Sequence, residues 1–256
     1  MRNMSYIGIT GIKTATDSKA LVEIVHTLDL PSSHLLMLGG LASYKGLRLG
    51  YVSDPTQYVL PSGLNKALIG NPQILNIVHY NSRHDGLLDQ IKDVLDVVDC
   101  ADGIQLNIPW PEPEMLAVLR EETVPVVILQ VSGAASEDLD HAPGRIADRL
   151  GDYEGLIDYA LIDPSGGVGR GFEPEYAVAV LEALVHSGLA IQWGIAGGLG
   201  PGSLGNLEPL LQIYPELSWD AQARLRKGDG QALDLAACEA YLLEGVELLH
   251  GLPGRD

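Results

Sequence analysis

The sequence predicts an α/β protein, a parallel eight-stranded (β/α)8 TIM barrel, and three observations lead there. Short apolar strand-like segments alternate with helical patterns along all 256 residues, in units of roughly thirty residues, as repeated βα units feeding one parallel sheet would. The segment Val124 to Val131 is nearly all apolar, which suits a strand covered on both faces. The length fits one barrel of about 250 residues, and such a chain buries roughly three quarters of its unfolded surface.

Taken in order, Tyr6 to Thr10 is a short apolar strand, and Asp17 to Leu28 is a helix with Leu21, Val22, Ile24 and Val25 on its apolar side. His34 to Leu38 is the second strand, closing on Gly39 and Gly40. Residues 41–62 form a long irregular insertion holding Tyr44, Arg48, Gln57 and Tyr58; a loop of about twenty residues is uncommon and serves as a lid, an interface or a disordered excursion. Ile74 to His79, Gly103 to Ile108, Val124 to Val131, Tyr159 to Ile162, Ala190 to Ala196 and Leu217 to Asp220 complete the strands. Helical patterns cover Asp85 to Val98, Glu114 to Glu121, part of Ser136 to Leu150 with a break near Pro143, Pro174 to Ser187, Leu204 to Ile213 and Gln231 to Leu249. With no internal repeat, low-complexity tract or linker, the expectation is one domain over residues 1–256.

A formal net charge of −18 opposes nucleic acid and anionic membrane surfaces. Cys100 and Cys238 are the only cysteines, far apart, so no disulfide framework is expected and a reducing, cytoplasmic setting fits. No apolar run reaches the ~20 residues of a membrane span, and the first residues carry no signal-like core. No cluster of Cys and His has metal-ligand spacing, and no dinucleotide fingerprint stands in a βαβ register, so neither metal nor cofactor is expected. The oligomeric state is not legible.

In a parallel barrel, functional side chains come from the C-terminal ends of the strands. Those ends carry Thr10, His79, Gln105, Asn107, Gln130, Asp163 and Asp220. Two carboxylates on separate strands can face one cavity and divide acid and base roles between them; alternatively Asp163 caps its own loop or neutralises Arg170. His79 follows the apolar Ile77-Val78 and is a candidate base or a core histidine. Two successive strand exits are glycine-built, one through Gly166, Gly167 and Gly169, the other through Gly197 and Gly198. Such loops bring backbone N–H groups close to an anion, and the loops after strands seven and eight frequently bind phosphate.

These segments resemble phosphoribosylanthranilate isomerase along nearly the whole chain. Ile9-Thr10-Gly11-Ile12 followed by Asp17 is similar to that family's opening K-I-C-G-I-T-x-x-E-D. Gly103-Ile104-Gln105-Leu106-Asn107 resembles its V-Q-L-H-G strand, and Leu161-Ile162-Asp163 with the glycines after it resembles L-L-D and G-G-T-G-K-T-F-D-W. Ala196 to Pro201 looks like A-G-G-L-x-P, and Trp219-Asp220 stands where the family has V-D-V-S-S-G. The resemblance implies an Amadori isomerase barrel with Asp163 as general acid.

The departures bear on chemistry. Thr10 replaces the cysteine that the resemblance would make the base; a thiol with a pKa of about 8.5 is partly ionised at neutrality, whereas a threonine hydroxyl is not, so Thr10 suits hydrogen bonding to substrate. Gln57 stands in place of a family arginine, with Arg48 a substitute within the insertion. Gln222, Ala223 and Arg224 replace S-S-G, so Arg224 either supplies charge to a phosphate or fills the former anion site. Asp220 and His79 remain as candidate bases.

The expected function is therefore an isomerase-like barrel binding a small phosphorylated sugar-like molecule. Asp163, Asp220, Thr10 and His79 would form the catalytic group. Gln105, Asn107, Gln130, Arg48 and Gln57 would contact substrate, and Gly166, Gly167, Gly169, Gly197, Gly198, Gln222 and Arg224 would hold phosphate. The alternatives are a non-catalytic barrel binding a metabolite or partner, and an authentic phosphoribosylanthranilate isomerase with a relocated base.

Overall fold

The structure is a computed structural model, described for residues 4–122, 125–163, 174–228, 230 and 232–251. Eight parallel strands close into a barrel in sequence order: β1 (Ser5–Thr10), β2 (His34–Ser43), β3 (Ile74–Asn81), β4 (Gly103–Leu106), β5 (Val126–Ser132), β6 (Tyr159–Asp163), β7 (Gln192–Ile195) and β8 (Ser218–Ala221). β8 pairs back onto β1, Ile7 opposite Trp219 and Gly8 opposite Asp220, so the sheet has no free edge.

The helices are α1 (Ala15–Leu28), α2 (Pro61–Ala67), α3 (Leu87–Val97), α4 (Pro113–Glu122), α5 (Gly133–Glu137), α6 (Pro143–Gly151), α7 (Pro174–Ser187), α8 (Glu208–Ile213) and α9 (Leu235–His250). α1 begins two residues before the expected Asp17, because Thr14 accepts from the Asp17 N–H and Asp17 accepts from the Thr14 N–H, a reciprocal cap. The expected helix between Ser136 and Leu150 is two short ones, the second starting at Pro143, where a proline suits a first turn. α9 starts at Leu235 rather than Gln231, capped by the Asp234 carboxylate.

Residue parity explains the barrel better than composition does. Along β2, Leu35 and Met37 pack inside the barrel with Leu75, Ile77, Val126, Ile128 and Leu161. Their neighbours Leu36 and Leu38 join the layer between the sheet and the helices. The same alternation on each strand turns Thr10, His79, Gln105, Gln130, Asp163 and Asp220 inward, at the last inward position or two. The lower lumen is thus apolar, closed by Tyr6 and Tyr159 in edge-to-face contact at 5.4 Å, and the upper lumen is polar.

The insertion at residues 41–62 is folded onto the upper mouth. β2 runs on through Ser43, a π-helical turn follows at Lys45–Leu49, and Pro61 opens α2. A tight turn forms at Asp54, whose carbonyl accepts from the N–H groups of Gln57 and Tyr58. Lys13 Nζ then donates to the carbonyls of Pro55 and Thr56 at 2.8 and 2.7 Å, pinning this turn to the loop after β1.

Candidate active site

A cavity of about 830 Å³ opens at the C-terminal ends of the strands. Its floor is made by the inward residues of β3 to β6 and β8, and its wall by Thr56, Gln57 and Tyr58 of the insertion and by Gln222 and Arg226 after β8.

Asp163 and Asp220 both line it, 4% and 6% exposed. Gln130 Nε2 donates to Asp163 Oδ2 at 2.6 Å. That bond sets the other amides. With its nitrogen on the carboxylate, Gln130 turns its oxygen to Gln105, whose Nε2 lies 3.4 Å from it and 3.0 Å from Asn107 Oδ1. Gln105 Oε1 is left buried without a hydrogen-bond partner. The Gln105 and Gln130 side-chain nitrogens thus both donate within the wall.

On the opposite side, the Thr10 hydroxyl donates to Asp220, 3.0 Å from Oδ1 and 2.8 Å from Oδ2, and Thr10 Oγ1 lies 3.3 Å from His79 Nε2. Burial lifts the Asp220 carboxyl to about 7; the Thr10 bond opposes this and the nearby Asp163 charge adds to it. Burial alone drops His79 to about 3, so its imidazole is neutral. A base whose conjugate acid has so low a pKa is weak, so burial works against His79 as the base for a carbon-bound proton. Thr10 is 1% exposed and its hydroxyl donates to Asp220.

Two glycines make room for this group. A Cβ on Gly8 would lie 2.8 Å from Asp220 Oδ1, and a Cβ on Gly39 would lie 2.5 Å from Thr10 Oγ1 and 2.6 Å from His79 Nε2. Gly39 is the β2 partner of Thr10, so the space between β1 and β3 exists because β2 has no side chain there.

Of the expected substrate contacts, Gln105, Asn107, Gln130 and Gln57 face the cavity. Arg48 does not: it pairs with Asp93 on the outer surface, where the π-helical turn meets α3. Gly166, Gly167 and Gly169 lie outside the described residues. Gly197 and Gly198, at φ +102° and +66°, line the cavity with Gln222. Beyond them, backbone donors of the junction are already used. Glu244 of α9 accepts from the N–H groups of Gly202 and Leu204, both at 2.7 Å, and Ser203 Oγ accepts from the Gly200 N–H. Arg224 reaches back to the carbonyls of Gly198 and Pro201 at 3.1 and 3.2 Å. These contacts strap the loop, and Arg224 is not among the residues that line the cavity.

Among the described residues three cations line the cavity, Arg83, Arg226 and Lys227, and Arg226, two residues on from Arg224, is the least exposed of them. Its Nη1 donates to the carbonyls of Thr56 and Gly230, and its Nη2 is buried with no hydrogen-bond partner. A Cβ on Gly11 would come within 2.0 Å of that nitrogen, so the φ of +108° there is matched by a steric need for glycine. Sequence reading stopped at Arg224; the signal lay in the pairing of Gly11 with an arginine just past the last strand, visible only once β1 and β8 are neighbours.

Among the described residues no group of His, Cys, Asp and Glu gathers in a way that could hold a metal ion, and no helix is long and apolar enough to cross a membrane. No protein-family model matches the chain, and no curated protein matches its sequence.

Proposed function

We propose that this barrel is an acid/base catalyst of the phosphoribosylanthranilate isomerase type, acting on a small sugar-like molecule, with Asp220 and Asp163 as the proton-transferring pair. The observation that supports it most is the placement of two carboxylates from different strands on one cavity, one of them near pH 7 in its titration. A general base or acid works best with a pKa close to the working pH. Asp220 fits the base that Thr10 cannot be; Asp163, held by Gln130, keeps the acid role that the sequence resemblance implies. Gln105, Asn107 and Gln130 line the cavity and suit hydrogen bonding to hydroxyl groups of the ligand. An anionic group of that ligand would meet Arg226 rather than the strapped loop at Gly198 to Leu204.

The test is solvent exchange. Aldose phosphates, pentulose phosphates and phosphoribosylanthranilate incubated with the protein in deuterium oxide should acquire deuterium at the carbon next to the carbonyl-derived centre. Asp220→Asn and Asp163→Asn should each lower that rate by roughly 10² to 10⁴-fold. Undiminished exchange in both variants removes the carboxylate pair from the reading.

The occupied amides of Gly202 and Leu204 favour a second reading, a non-catalytic metabolite-binding barrel. A ligand that raises the melting temperature equally in wild type and Asp220→Asn, without exchange or product, would support it.

A further inference from the structure

Asp220, Thr10 and His79 come from three different strands, β8, β1 and β3, and meet through two short contacts at Thr10 Oγ1. Two of the three, Asp220 and His79, line the cavity at separate points, whereas Thr10 lies between them out of reach. Gly8 and Gly39 give up the volume that the contacts occupy. A hydroxyl between a carboxyl and an imidazole has one proton to donate, so the direction of the row depends on which end holds a proton.

We propose that these three side chains form a proton wire across the cavity wall, with Thr10 as its positioning residue and His79 as a neutral outlet that changes tautomer. The inference rests on the acid/base reading of Asp220 but is measurable without any substrate.

The two states balance. With Asp220 ionised, the Thr10 hydroxyl donates to the carboxylate and His79 Nε2–H donates to Thr10 Oγ1, leaving the ring Nδ1 bare. With Asp220 protonated, its O–H donates to Thr10 Oγ1, the Thr10 hydroxyl donates to His79 Nε2, and the ring proton sits on Nδ1. Passing from the second state to the first, Asp220 hands its proton to Thr10, Thr10 hands its own to Nε2, and one proton leaves from Nδ1. No member becomes a cation, as a buried imidazole at this depth requires. A proton collected by Asp220 at one point of the cavity can thus be released at another, the transfer an isomerisation needs.

The other groups facing Asp220 do not compete for the wire. Tyr6 on β1 and Tyr241 on α9 are held protonated by burial and by the Asp220 charge itself, and the Tyr241 hydroxyl donates to the Gly8 carbonyl. Met37 on β2 is apolar. Asp163 on β6 contributes charge alone.

The experiment is a nitrogen-15 and carbon-13 NMR titration of the full chain between pH 5.5 and 8.5, with His79 assigned by a His79→Gln variant. The expected result is a neutral His79 ring that moves from Nδ1–H to Nε2–H with the same midpoint as the Asp220 carboxyl carbon. In Thr10→Val the two should uncouple, the Asp220 midpoint rising while the ring no longer follows it. Thr10→Ser should keep the coupling. Should Thr10→Val not fold, Asp220→Asn serves: its His79 should hold one tautomer throughout. A wild-type ring that keeps one tautomer across the range, or an Asp220→Asn ring that still switches, overturns the wire. Failure of every sugar phosphate to exchange would count against the proposed function and leave this titration standing.

Discussion

Asp158 and Asp220, at opposite ends of the barrel, are treated in opposite ways. At the N-terminal end Asp158, which precedes β6, accepts from Arg120 Nη2 at 2.6 Å and from the Val127 N–H at 2.8 Å, with side chains only 12% and 14% exposed. At the C-terminal end Asp220 is as deeply placed, but it is met by the Thr10 hydroxyl and the Ala221 backbone and, beyond Thr10, by a neutral imidazole rather than by a cation. A buried carboxylate given a cation and a backbone donor is a strut. One denied a cation keeps a proton near neutrality, which costs stability and makes it useful in proton transfer. The lesson is that burial alone does not mark a functional acid; burial without a counter-charge, beside a cavity, does.

That contrast can be broken by substitution. The largest effect expected is on chemistry: Asp220→Asn should lose roughly 10² to 10⁴-fold in solvent exchange on the true substrate, while Asp158→Asn, read by the same assay in folded protein, should not. Next, Arg120→Leu should destabilise by about 3 to 5 kcal/mol in denaturant unfolding, because it strands the Asp158 charge in a partly buried place.

A smaller effect has the opposite sign. The folded pKa of Asp220, about 7, lies above its unfolded value of about 3.9, so the folded state holds the extra proton between those values. Stability from this group therefore falls as pH rises from about 4 to 7 and stays reduced above that. Asp220→Asn escapes the loss, and its stability relative to wild type should improve by roughly 2 to 3 kcal/mol between pH 5 and pH 8, measured by urea unfolding at each pH. A constant difference across that range would remove the raised pKa. The smallest effect is expected at Arg48: its exposed pair with Asp93 should be worth under about 1 kcal/mol, and Arg48→Ala should leave ligand-induced changes in melting temperature intact.

How much of this was legible follows from periodicity. Strand parity and strand ends are local properties, so the barrel and the inward set His79, Gln105, Gln130, Asp163 and Asp220 could be read from the chain. What could not be read depends on contacts between residues remote in sequence. Arg48 and Arg226 are both loop arginines, yet one turns outward to α3 and the other inward against Gly11, a choice made by packing. Glu244 sits on an amphipathic helix where a carboxylate ordinarily faces solvent, and only the folded chain brings it to the Gly202 and Leu204 amides. The Thr10 hydroxyl meets Asp220 only because β8 closes beside β1. The proton affinity of Asp220 is likewise a property of desolvation, which no residue type carries by itself.

The central claim is that Asp220 holds a proton near neutrality in a cavity it shares with Asp163. Infrared difference spectroscopy of the carboxylic C=O stretch between pH 5 and pH 9 tests it most directly, with Asp220→Asn as the control. A protonated-carboxyl band that fades with a midpoint near 7 and is missing from the variant is the predicted result. A band already gone above about pH 5, in the ordinary aspartate range, or one that persists unchanged in Asp220→Asn, would contradict the account.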